Sequence, residues 1–127
     1  MARIVVVDDS ATSRLLIVTL LGYAGHEVFE AGDGEEGLAI ALAQRPDLLI
    51  TDIVMPGMGG AELVRRLHAD PALAHIPALF YTASDRWDDA WTLAQSCGVT
   101  ALIRKPAEPQ AIFDTVAAAL GSSPGEP

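Results

Sequence analysis

The sequence is short of several things, and each shortage removes a class of protein. It holds one cysteine, Cys97, so no disulfide can form within the chain, and a reducing compartment is expected. No apolar run approaches the ~20 residues needed to cross a bilayer. The longest candidate, Leu15 to Leu21, is interrupted by Thr19 and followed by Gly22. The opening "MARIVVVDDS" has one basic residue and too short an apolar run for a secretory signal, so a cytoplasmic location is expected. Basic residues are few: 8 Lys and Arg stand against 17 Asp and Glu, a net charge of −9. Such a field repels nucleic-acid phosphates and anionic lipid surfaces, so neither is an expected direct partner. His26, His68 and His75 show no metal-ligand spacing and read as surface or loop residues.

What is present is a regular alternation. The chain has 127 residues, half of them apolar, which suits one domain with a proper core. "RIVVVDD", "DLLITD", "IPALFYTA" and "VTALIRK" read as short buried strands, and "HEVFEA" as a strand of alternating character. Between and after them "TSRLLIVTLLGYAG", "DGEEGLAIALAQRP", "GAELVRRLHAD", "DRWDDAWTLAQSCG" and "EPQAIFDTVAAALG" read as helices. Asp33 is the expected N-cap of the second, with Glu36 completing a capping box. Five β-branched strands alternating with helices imply a parallel sheet covered on both faces. The closing "GSSPGEP" is small and polar, and is expected to be a tail or the start of a linker over residues 121–127, after a domain spanning 1–120.

In such sheets ligands bind beyond the carboxyl ends of the strands. There the sequence places Asp8-Asp9, Asp52, Thr82 and Lys105, the last followed by Pro106. Three carboxylates converging on one point repel, each pair by about 4 kcal/mol at ~4 Å and an effective dielectric near 20. A cation relieves this, and an all-oxygen donor set with no His or Cys nearby favours Mg²⁺. An aspartate beside such a cation can attack phosphorus and become an aspartyl phosphate. Lys105 and the Thr82 hydroxyl are suited to the phosphoryl oxygens, and the Met55-Pro56-Gly57 turn fixes the loop behind Asp52.

The motifs "VVVDDS", "AGDGEEGL", "PDLLITDIVMPGMGG", "IPALFYTAS" and "IRKPAEP" together resemble the response-regulator receiver domains of two-component signalling, over residues 3 to 120. The resemblance implies the flavodoxin-like (βα)5 fold, an α/β sandwich of three layers with strand order 2-1-3-4-5. It implies that Asp52 takes a phosphoryl group from a phosphohistidine of a sensor kinase or phosphotransfer protein. Mg²⁺ would be held by Asp9, Asp52 and the Val54 carbonyl, with Asp8 acting through water, while Thr82 and Lys105 grip the phosphoryl oxygens. A cis Lys105–Pro106 peptide is implied as well. One position departs from the family: three residues before the lysine, where receivers usually carry Tyr or Phe as a readout of the threonine, this chain has Leu102. Phe80 and Tyr81, beside Thr82, are the bulky residues that could substitute.

Two other functions compete. An aspartate-nucleophile phosphohydrolase would carry an acid two residues after the nucleophile, where this chain has Val54. A pseudo-receiver that only docks partners would not need the complete set of site residues. A flavin phosphate on the "DDSATS" loop is opposed by the paired acids before it. The fourth helix has a core stripe at Ala90, Leu93, Ala94 and Cys97, on which Cys97 reads as a small buried hydrophobe. Trp87 and Trp91 lie off that stripe, where a tryptophan either lies flat over the helix surface or anchors a partner or a homodimer; the resemblance, which implies the face of helix 4, strand 5 and helix 5 as the interaction surface, favours the anchor. Whether the chain acts alone or within a larger protein is left open by the sequence.

Overall fold

The computed structural model describes residues 1–83 and 85–121. Five strand–helix units follow in order: β1 (Arg3–Val7), α1 (Ala11–Tyr23), β2 (Glu27–Ala31), α2 (Gly34–Gln44), β3 (Leu48–Thr51), α3 (Gly60–Ala69), β4 (Ala78–Thr82), α4 (Trp87–Cys97), β5 (Ala101–Arg104) and α5 (Pro109–Gly121). All neighbouring strands pair in parallel, in the order β2-β1-β3-β4-β5. This is the flavodoxin-like arrangement that the motifs imply.

The side-chain period of a strand sends alternate residues to opposite faces. Val5, Val7, Leu49, Ala78 and Phe80 face α2, α3 and α4, where Leu63, Val64, Leu67 and Ala94 complete one core. Ile4, Val6, Leu48, Ile50, Leu79 and Tyr81 face α1 and α5, meeting Ile17, Leu21, Ile112 and Val116 in a second core. Both faces are covered, so the strands need no polar face. The edge strand β2 therefore does not show the expected alternation. Val28 and Phe29 are both half-buried, each packed against a different core.

Helix ends follow local chemistry. The Asp33 carboxylate caps α2 by accepting from the Glu36 amide at 2.8 Å. Glu36 does not close the expected box on the Asp33 amide. It accepts instead from the Gly32 amide at 2.7 Å, one residue earlier, and so ties down the β2–α2 loop. The α4 stripe is as expected: Ala90, Ala94 and Cys97 are buried and Leu93 is half-buried, and burial pushes the Cys97 thiol pKa up. His26 lies in the α1–β2 loop as expected, whereas His68 differs from expectation. His68 sits on α3 with its Nε2 2.8 Å from the Ile76 carbonyl, and His26 accepts from the Ala2 amide at 3.1 Å. Both are half-buried links within the fold. Gly121, expected in the tail, closes α5, and the rest of "GSSPGEP" lies outside the described residues. Among the described residues no helix is long and apolar enough to cross a membrane.

Candidate functional site at the carboxyl edge of the sheet

The strand order reverses between β1 and β3, and the site lies beyond their carboxyl ends. Asp8, Asp52 and Lys105 are held by the sheet although they fall just outside the strands, and Thr82 closes β4. The Asp8 amide donates to Ala31 O at 3.1 Å, the Asp52 amide to Val7 O at 2.9 Å, and the Lys105 amide to Thr82 O at 2.8 Å. The backbones of Asp8, Asp52 and Lys105 are thus each tied to a neighbouring strand.

Those side chains converge. Asp8, Asp9 and Asp52 each present a carboxylate oxygen, all within 4.8 Å of one another. Lys105 is the only lysine in the sequence. Its Nζ donates to Asp8 Oδ2 at 2.6 Å and to Asp52 Oδ2 at 3.1 Å, and lies 4.9 Å from the centroid of the Tyr81 ring. Asp8 is fully buried, Asp52 half-buried and Asp9 exposed. The lysine therefore covers the inner acids while Asp9 faces outward. The donor set is all oxygen, open on one side and richer in negative charge than Lys105 can balance. These residues fit a hard divalent cation.

Burial raises the Asp52 carboxyl pKa above the ordinary range, and Asp8 adds to this, although Lys105 and the Ile53 amide oppose it. Burial pulls the Lys105 ammonium down, but its hydrogen bonds and charge contacts with Asp8 and Asp52 outweigh that and leave it raised. Burial also raises the Tyr81 phenol.

The loop behind Asp52 shows why its sequence is Pro- and Gly-rich. Gly57 has φ +74°, a left-handed turn that suits glycine. The Gly60 amide donates to Ile53 O at 2.8 Å, drawing the start of α3 against the Asp52 main chain. Val54 projects outward, 77% exposed. Thr82 is buried at the end of β4, and the Lys105–Pro106 peptide is cis.

The aromatic expectations divide. Phe80 and Tyr81 are both buried, in opposite cores, so neither resembles a ring that swings in from the surface. Leu102 is half-buried against the α2–α4 core and pairs in register with Phe80. Trp91 is exposed, at 38%. Trp87 is half-buried beneath the Arg104 guanidinium, which lies 4.4 Å from its ring centroid, so it is not the open anchor that the resemblance favours. Sequence reasoning also missed Arg14, whose Nη1 donates to the Asp8 carbonyl at 2.6 Å. An arginine on a helix carries no signal by itself. Only the turn that brings α1 back over β1 makes the contact.

The doubly wound parallel sheet, with clustered carboxylates and one lysine at its carboxyl edge, places the chain among α/β proteins with a polar site at the strand ends. Comparison narrows the class. The model of the response regulator receiver domain matches residues 4–117. PilH of Pseudomonas aeruginosa is 36% identical over 121 residues, which are 94% of this chain and 98% of PilH. The response regulator PleD of Caulobacter vibrioides is 36% identical over 115 residues, 91% of this chain but only 25% of PleD. The solved structure of the chemotaxis response regulator CheY4 of Vibrio cholerae superposes with a TM-score of 0.87 at 32% identity, covering 94% of this chain and 98% of that one. The chain belongs to the response regulator receiver domain family. It is a receiver domain of two-component signalling, from a family of signalling switches.

Proposed function

We propose that Asp52 is the phosphoacceptor, that Lys105 and Thr82 hold the incoming phosphoryl oxygens, and that Asp8, Asp9, Asp52 and the Val54 carbonyl hold Mg²⁺. The observation that carries this reading is the double contact of Lys105 Nζ with Asp8 and Asp52 beside the exposed Asp9. One divalent cation balances the charge that Lys105 leaves uncovered, and bound there it neutralises developing charge on a phosphoryl group.

In the transfer, one Asp52 carboxylate oxygen forms a bond to phosphorus as the bond from phosphorus to the donor's imidazole nitrogen breaks. The imidazole keeps that electron pair, and the product is an acyl phosphate on Asp52. Lys105 turns from Asp52 toward the new oxygens, and the Thr82 hydroxyl donates to one of them. The donor is a sensor histidine kinase or phosphotransfer protein, in the cytoplasm. Phosphorylation then shifts a two-state equilibrium of the loops after β3 and β4 and of the α4–β5–α5 face, where Trp91 offers a partner or a second copy an aromatic contact. Val54, exposed two residues after Asp52, has no proton to give or take. The chain therefore acts as a switch rather than as a turnover phosphohydrolase. The domain runs through the end of α5, to Gly121.

The test is intact mass after incubation with Mg²⁺ and acetyl phosphate. A single phosphoryl adduct is expected, absent in Asp52→Asn and absent with a chelator. No adduct, together with no response to beryllofluoride, would leave a receiver that only docks partners.

A further inference from the structure

We propose that Arg14, oriented by Glu30, is a positioning residue that sets the Mg²⁺ affinity of the site by fixing the Asp8–Asp9 main chain. This rests on the metal site proposed above.

Asp8 is bonded at every polar atom. Its amide donates to Ala31 O at 3.1 Å, its Oδ1 accepts from the Ser10 amide at 2.9 Å, and its Oδ2 accepts from Lys105 Nζ at 2.6 Å. Its carbonyl accepts from Arg14 Nη1 at 2.6 Å. That carbonyl belongs to the peptide that joins Asp8 to Asp9, so whatever holds it sets the plane of that peptide and the direction in which Asp9 leaves the chain. Only Asp8, Asp9 and Ser10 separate β1 from α1. Arg14 grips this loop at both ends, because its own amide donates to Ser10 O at 2.9 Å while its guanidinium reaches Asp8.

The guanidinium is itself oriented. Its Nε donates to Glu30 Oε1 at 3.1 Å, across α1 to β2. A planar fork held on two edges has one orientation, which a lysine ammonium, a single point charge, cannot reproduce. Arg14 bonds a backbone carbonyl and, beyond that, Glu30. The hydrogen bonds thus spend none of its donors on the Asp8, Asp9 or Asp52 carboxylates.

The sign of the effect separates this role from simple electrostatics. If Arg14 acted only by its charge, removing a cation near the acids would tighten Mg²⁺ binding. Positioning demands the reverse, since outer partners of metal ligands typically carry about tenfold or more in affinity. The experiment is calorimetric titration of MgCl₂ alone into the metal-free full chain, with urea unfolding of each variant. Arg14→Ala is expected to weaken Mg²⁺ binding about tenfold. Arg14→Lys is expected to recover part of that loss. Arg66→Ala, which removes an arginine paired with Glu62 on α3, is expected to leave the affinity unchanged. Should Arg14→Ala not fold, Arg14→Lys and Glu30→Gln carry the test, each with weakened binding. Unchanged or tighter binding in a folded Arg14 variant, with only the unfolding midpoint lowered, overturns the proposal. A flat titration of the unaltered protein overturns the metal site itself and this inference with it.

Discussion

Gly60 stands directly against the main chain of Asp52: a Cβ on Gly60 would come 2.0 Å from the Asp52 carbonyl oxygen and 3.0 Å from its carbonyl carbon. Backbone cannot yield as a flexible side chain does, so Gly60→Ala must displace either α3 or Asp52. Overpacking of this kind costs about 1–3 kcal/mol or more. Gly60→Ala is expected to lower stability in urea by that amount and to slow adduct formation with acetyl phosphate. Gly22, in α1, has open space around it, with nothing within 4 Å of where a Cβ would stand. There alanine is expected to stabilise by about 0.5–1 kcal/mol, because it narrows the unfolded ensemble. Both values are read from the same urea melts, and equal effects at the two glycines would refute the packing argument.

The alternation of strands and helices, the strand-end acids and the lysine were legible in the sequence because periodicity and turn chemistry are local. Residues whose role depends on a neighbour far along the chain were not. Gly60 is one of a Gly-Gly pair, and nothing in "GMGG" says which glycine meets Asp52. Arg14 and Glu30 lie on different elements and meet only because α1 packs beside β2. The position of Trp87 off the core stripe left open whether it lies flat or stands free as an anchor, and Arg104, on β5, covers it. The alternation expected in β2 failed for a global reason as well, since helices cover both faces even of this edge strand.

Carboxylate crowding makes a prediction of its own. Asp9 is exposed and shares a 4.8 Å cluster with Asp8 and Asp52, while Lys105 bonds only the latter two. Without metal, Asp9 is a source of repulsion that its solvation only partly screens. Asp9→Asn is expected to stabilise the metal-free protein by about 1 kcal/mol, the scale of exposed charge pairs. Added Mg²⁺ should raise the midpoint of the unaltered protein in proportion to the logarithm of its concentration and have little effect on the variant. Thermal melts across a Mg²⁺ series measure both. A variant less stable than the parent in chelator would show that Asp9 makes a structural contact.

The alkaline limit of stability follows from two groups. Lys105 is a base whose pKa is raised in the folded protein, so its contribution is complete below the unfolded value, about 10.4, and disappears as pH climbs through the folded value. Tyr81 is an acid raised by burial, so folding disfavours its ionisation, and stability falls as pH rises above the unfolded value of about 10. Both act in the same direction. Urea midpoints of the metal-free protein should decline above about pH 10, and Tyr81→Phe should remove part of that decline. In a Tyr23→Phe background the single remaining tyrosine should ionise above its ordinary range by ultraviolet absorbance. Asp52, also raised by burial, has the same sign at the acid end. Its contribution is present below the ordinary carboxylate range and lost as pH rises through the raised value, so Asp52→Asn should flatten the metal-free profile there.

Arg104 and Trp87 connect the site to the α4–β5–α5 face. Arg104 is paired in register with Thr82 and precedes Lys105, and its guanidinium lies over the ring of the first residue of α4. An arginine over tryptophan at such a surface contributes about 0.5–1 kcal/mol. Thr82 and Lys105 therefore adjoin a strand end that is attached to α4. In a Trp91→Phe background Trp87 is the only tryptophan, so its emission reports the stack. Arg104→Ala is expected to shift that emission to the red, as water replaces the guanidinium, and to lower stability by the amount given. Beryllofluoride with Mg²⁺ should shift the emission of the Arg104-containing protein and leave Arg104→Ala nearly unchanged. An equal response in both would mean that the strand end moves without carrying α4 through this contact, and attention would pass to Leu102, half-buried on the same strand two residues earlier.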